Sequence, residues 1–131
     1  ILPTYACGRD QHGDAVDFRE EGWVPGPQVA LLRAGHEFRQ ELGVHSSVPT
    51  ISIFGYGIKT MTRIRVHRAA DGSLSDIHYD YEPRGDSGIL ETSAVLAGSE
   101  IHPVQQYHGS LFVDNDVRMR LKLELARQPE L

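Results

Sequence analysis

Residues 83–111 read PRGDSGILETSAVLAGSEIHPVQQYHGSL, and the fold assignment turns on them. Pro83 to Gly88 is a tight loop of turn-forming residues with one carboxylate, Asp86, at its centre. The short apolar segment Ile89 to Leu96 follows and predicts a short helix. A strand is predicted from Ile101 to Tyr107, ending at His108-Gly109. Asp86 and His108 lie 22 residues apart, room for one crossover between neighbouring parallel strands. Taken singly, Asp86 reads as a turn aspartate or helix N-cap, and His108 as a hydrogen-bonded loop histidine.

Upstream, residues 1–26 form a loop-rich lead-in, punctuated by Pro3, Gly8, Asp10, Gly13, Asp14, Gly22, Pro25 and Gly26. A helix is predicted to begin near Pro27, whose fixed φ suits a first turn. Leu31, Gly35, Phe38 and Leu42 then form one apolar stripe that Gly43 stops. Val48 to Gly57 reads as a buried strand entering a Gly-Tyr-Gly loop. Ile64 and Val66, then Ile77, Tyr79 and Tyr81, alternate with polar residues around Asp71-Gly72 and predict a hairpin. The tail alternates Val117, Met119, Leu121, Leu123 and Leu125 as a strand would. Its helix-forming composition, the caps Asp114 and Asn115, and the Arg120/Glu124 spacing favour a helix instead.

The chain has 131 residues, enough for one domain, and 40% hydrophobic with 24% charged residues suits a globular protein. A net charge of −5 recommends neither nucleic acid nor an anionic membrane as partner. No apolar run approaches the roughly 20 residues of a transmembrane helix. Cys7 is alone, so no intrachain disulfide is possible and the redox compartment is undetermined; with no signal-like segment, a soluble and cytoplasmic setting is the expectation. Ile1 rather than Met opens the sequence, and two helices are too few to cover both faces of a parallel sheet. Both features read as part of a larger α/β unit.

Together Asp86 and His108 gain a chemical meaning. A carboxylate preceding a histidine, each on a loop after a strand, follows the Ser…Asp…His order of α/β-hydrolases. The aspartate would orient the imidazole, which would take the proton of a serine hydroxyl. Competing patterns are weaker. Gly85-Asp86-Ser87-Gly88 contains the core of a serine-protease nucleophile motif, but no trypsin-like histidine motif or disulfide accompanies Ser87. His78 with Asp80, and His102 with His108, lack a recognised metal-ligand spacing. Arg63, Arg65 and Arg68 read as a solvated face balanced by Asp76, Asp80 and Glu82. Cys7 has no nucleophile motif around it.

Gly55-Tyr56-Gly57-Ile58-Lys59-Thr60, Gly85-Asp86-Ser87-Gly88-Ile89 with Ser93-Ala94, and His108-Gly109-Ser110-Leu111 resemble the lecithin:cholesterol acyltransferase-like lipases and acyltransferases. Leu2-Pro3-Thr4-Tyr5 and the helix bearing His36-Glu37-Phe38 look like segments preceding this region in bacterial members. The resemblance implies the C-terminal part of an α/β-hydrolase sheet, with a β-hairpin insertion and flanking helices. It implies that Asp86 and His108 are the catalytic acid and base, and that the substrate is a hydrophobic ester such as a lipid. It brings in no cofactor and no metal. Ser87-Gly88-Ile89-Leu90 departs from the family's Gly-x-Val-Pro after the acid, and no Gly-x-Ser-x-Gly occurs. The nucleophile is therefore expected on an N-terminal half, in the same precursor or on a separate chain, and the chain alone is expected to be inactive. The competing expectation is a non-catalytic interaction module derived from the hydrolase fold.

Overall fold

The computed structural model describes residues 6–17 and 26–127. Leu2-Pro3-Thr4-Tyr5 lies outside them. The chain has mixed α/β content: β1 (Gly8–Arg9), α1 (Gly26–Leu42), β2 (Ile51–Gly55), β3 (Ile58–Arg68), β4 (Leu74–Gly85), α2 (Glu91–Ala94), β5 (Glu100–Val104), a 3₁₀ helix (His108–Val113) and α3 (Asn115–Ala126). No helix among the described residues is long and apolar enough to cross a membrane. The described residues fall into two compact units, one of 6–17, 26–45 and 62–81, the other of 46–61 and 82–127.

In the first unit, β1 pairs in parallel with β3, Gly8 opposite Ile64 and Arg9 opposite Arg65, within a sheet of order β1-β3-β4. The Asp10 carboxylate accepts from the His12 and Asp14 amides, each at 2.9 Å, and turns the loop back. The Gln11 amide group extends the ladder by one rung. It accepts from Arg68 N at 2.9 Å and donates to Arg68 O at 3.0 Å. Asp71 caps the β3–β4 turn by accepting from the Ser73 amide at 3.0 Å. Of the hairpin charges, Arg65 pairs with Asp80 at 2.8 Å, while Arg68 lies 3.8 Å from Asp10 of the preceding loop.

The α1 helix starts and stops where its Pro27 and Gly43 signals place it, Gly43 N donating to Arg39 O at 3.3 Å. Its stripe is not covered: Val29 is buried, yet Leu31, Phe38 and Leu42 are all more than half exposed.

The second unit holds a two-stranded parallel sheet, β2 against β5, in register from Ile51 opposite Glu100 to Gly55 opposite Val104. Glu100 N donates to Thr50 O and Tyr56 N to Val104 O, both at 3.0 Å, closing the ladder at its two ends. Buried Ser52 anchors the approach to β5. Its Oγ accepts from Leu96 N at 3.2 Å and lies 2.6 Å from Ser99 Oγ.

Several boundaries differ from the sequence expectation: the strand expected from Val48 begins at Ile51, and the loop-rich lead-in contains the short strand β1. Pro83 to Gly85 is strand, not loop, because β4 is the outer strand of its sheet and an edge tolerates proline. The hairpin strands accordingly run longer than their alternating cores. The last strand stops at Val104, where Gln106 N donates back to Val104 O at 2.9 Å and turns the chain before Tyr107.

The tail is helical despite its period of two. Alternate residues on a helix point in widely separated directions, so the pattern gives no single apolar face, and only Val117 is buried. The cap and the ion pairs decide the conformation. Asp114 accepts from Asp116 N and Val117 N, and Arg120 bridges Glu124 at 2.8 Å and Glu100 at 2.6 Å. Val117→Ala should therefore cost about 2 kcal/mol, the loss of a buried branched side chain and the cavity left behind. Leu125→Ala, at a position 86% exposed, should stay within about 0.5 kcal/mol by the same urea-denaturation measurement.

Candidate active site

The acid loop forms where β4 ends. Asp86 N donates to Ile89 O at 3.1 Å, and the Asp86 Oδ1 atom accepts from Gly88 N at 3.0 Å and Ile89 N at 2.7 Å. This local pattern is the turn-aspartate chemistry legible in Gly-Asp-Ser-Gly, and it fixes the carboxylate before any partner arrives. Ser87 follows with φ of 78°, and its amide donates to Thr60 Oγ1 at 2.9 Å.

The turn after β5 delivers His108 to the same place. His108 N donates to Asp86 O at 2.8 Å, and the ring Nδ1 lies 2.8 Å from Asp86 Oδ2. Main chain and side chain thus grip the same residue. An ionised carboxylate can only accept, so its bond to Nδ1 assigns the ring proton to Nδ1 and leaves Nε2 as an acceptor. The burial of the two partners is opposite. Asp86 is 2% exposed as a residue, whereas the His108 side chain is 59% exposed.

Glycine makes the close approach possible at the end of β2. A Cβ on Gly55 would collide with Gln106 O and with the Cβ of Asp86. A Cβ on Gly85 would collide with Ile89 O across the loop. Gln106 is also braced from the far side, its Nε2 donating to Asp114 Oδ2 at 3.3 Å.

Burial pushes the Asp86 carboxyl up. The Ile89 amide, the His108 ring and the Gly88 amide outweigh that, with the His108 charge adding to them, and hold it below its ordinary value of 3.8. The arrangement keeps an anion beside an exposed imidazole, which suits proton transfer at Nε2 to or from a group brought against it.

The other nominated residues go elsewhere. Ser87 engages through its main-chain amide. Asp80 pairs with Arg65 across the hairpin, and His102 Nε2 lies 3.4 Å from Asp116 Oδ2 of α3. Among the described residues, no group of three or more His, Cys, Asp or Glu could hold a metal ion. Cys7 is buried, which pushes its thiol pKa up and away from reactivity. Sequence reasoning passed over Thr60 and Gln106. Thr60 ended a quoted motif, but nothing in a lone threonine marks it as buried beneath an acid loop.

Because the folded-state pKa of Asp86 is depressed, its ionisation stabilises the fold fully above the unfolded value. That stability is lost as pH falls through 3.8 toward the folded value. Urea denaturation followed from about pH 6 down to pH 3 should show this acid loss in the native chain. Asp86→Asn should lower stability near neutral pH and flatten the acid slope.

Compared with known proteins, the chain matches no family model, no curated protein and no solved structure.

Proposed function

We propose that this chain is the C-terminal part of a serine ester hydrolase or acyltransferase of α/β-hydrolase type, acting on a hydrophobic ester such as that of a lipid. The observation that carries the reading is the 2.8 Å bond between a buried, ionised Asp86 and an exposed His108 whose Nε2 is left as an acceptor. The family-like segments around both residues support it. The serine and the oxyanion-hole donors come from an N-terminal half, in the same precursor or on a separate chain, because no Gly-x-Ser-x-Gly occurs here.

In this reading His108 Nε2 accepts the serine hydroxyl proton as the serine oxygen bonds to the ester carbonyl carbon. Asp86 stabilises the imidazolium that results. The imidazolium then returns the proton to the departing alkoxide as the acyl–oxygen bond breaks, leaving an acyl-enzyme. Water or an alcohol, deprotonated by the same nitrogen, then bonds to the acyl carbon as the serine–acyl bond breaks, and the imidazolium returns the proton to the serine oxygen. No cofactor is required.

A second reading, a non-catalytic interaction module, draws on the exposed Leu31, Phe38 and Leu42 of α1. Activity separates the two. Co-expression with the upstream half should restore hydrolysis of a short-chain p-nitrophenyl ester. In that complex His108→Ala should abolish the restored activity, and Asp86→Asn should lower kcat by about 10⁴-fold. Restored hydrolysis that survives His108→Ala would show the base to be misassigned. No hydrolysis with an intact, folded complex would favour the interaction module.

A further inference from the structure

Thr60, on β3, is only 2% exposed, and a buried hydroxyl must find partners. Its Oγ1 donates to Ile58 O at 2.8 Å and accepts from Ser87 N at 2.9 Å. With the proton committed to Ile58, a lone pair faces the Ser87 amide. Ser87 needs that help: its φ of 78° lies in the left-handed region, which a residue with a Cβ enters at a cost. Gly85 admits the hydroxyl, since a Cβ there would stand 2.7 Å from Thr60 Oγ1. The conformation of Ser87 in turn aims the next two amides, Gly88 and Ile89, at Asp86 Oδ1.

We propose that Thr60 is a positioning residue for the Asp86–His108 pair, its hydroxyl holding the Ser87 amide so that the acid loop presents Asp86 to His108. Its bearing on catalysis rests on the hydrolase reading above. The alignment itself does not, and can be measured on the chain alone.

The test uses the full chain with ¹⁵N-labelled histidine. The nitrogen shifts of His108 report which ring atom carries the proton, and amide exchange at Gly88 and Ile89 reports the grip on Asp86. A lost hydrogen bond of ordinary strength predicts that Thr60→Val raises the Nε2–H share of His108 about five-fold. Exchange at the two amides should quicken by about the same factor. Thr60→Ser, which keeps the hydroxyl, should match the native chain in both. If Thr60→Val does not fold, Thr60→Ala, which sets no methyl against the Ser87 amide, carries the same expectation.

An unchanged tautomer and unchanged exchange in the folded Val or Ala variant would overturn the proposal. So would a disturbed tautomer in Thr60→Ser, which would trace the effect to the lost methyl group. Asp86→Asn separates the two levels of the argument. If it leaves the His108 tautomer as in the native chain, the Asp86–His108 pairing itself fails. If it shifts the tautomer while Thr60→Val does not, the pairing stands and only the role of Thr60 falls.

Discussion

A carboxylate that is 2% exposed must be surrounded by donors or it cannot stay ionised, and the arrangement around Asp86 follows from that constraint. Its oxygens take the Gly88 and Ile89 amides and the His108 ring, while its own carbonyl takes the His108 amide. The two amides are local to the acid loop, whereas the His108 donors come from 22 residues away and the loop packs against the end of β2. The end of β2, the close of β4 and the turn after β5 all have to arrive at one point. Gly55 and Gly85 are the concessions that permit it, each standing where a methyl group would press on a neighbouring main chain. The buried charge is thus both the expensive element of this unit and the reason its loops have defined positions.

The same constraint divides labour between the two residues. Asp86 is held by five hydrogen bonds, three on its carboxylate and two on its main chain, and has no freedom to reorient. His108 is tied to the carboxylate through Nδ1, while its side chain is 59% exposed. The acid is structural before it is chemical, because its main-chain carbonyl anchors the very residue its side chain orients. A histidine held at both backbone and ring has little further conformational entropy to lose.

How much of this could be read in the residues depends on how local each feature is. The Asp86 turn, the α1 limits and the Asp114 cap are written within a few positions, and turn and cap chemistry gives them away. The tail helix was legible only by setting composition and capping against a strand-like alternation. The junction of Gly55 with Gln106 and Asp86 was not legible, since it depends on segments brought together from about thirty and fifty positions away. Thr60 was hidden for the same reason: its partner Ser87 is 27 residues distant. Residues 83–85 misread because Gly, Pro and Arg look like a turn until the strand is known to be an outer one.

That outer position of β4 has a colloidal consequence. One side of its main chain has no strand partner within the sheet, and an open edge of this kind is a template on which another copy could zip. Ile77, Tyr79 and Tyr81, each about half exposed, would make such stacking adhesive. Asp76, Asp80 and Glu82 interrupt them with negative charge, and Pro83 withholds a donor at the end of the run. Asp80 is paired with Arg65 and Glu82 lies 3.5 Å from Arg84, so a second copy zipping onto this edge would have to desolvate ion pairs as well as aromatic rings. The charged side chains that alternate with Ile77, Tyr79 and Tyr81 thus weigh against such stacking through the cost of drying them, and Pro83 leaves its end without a donor.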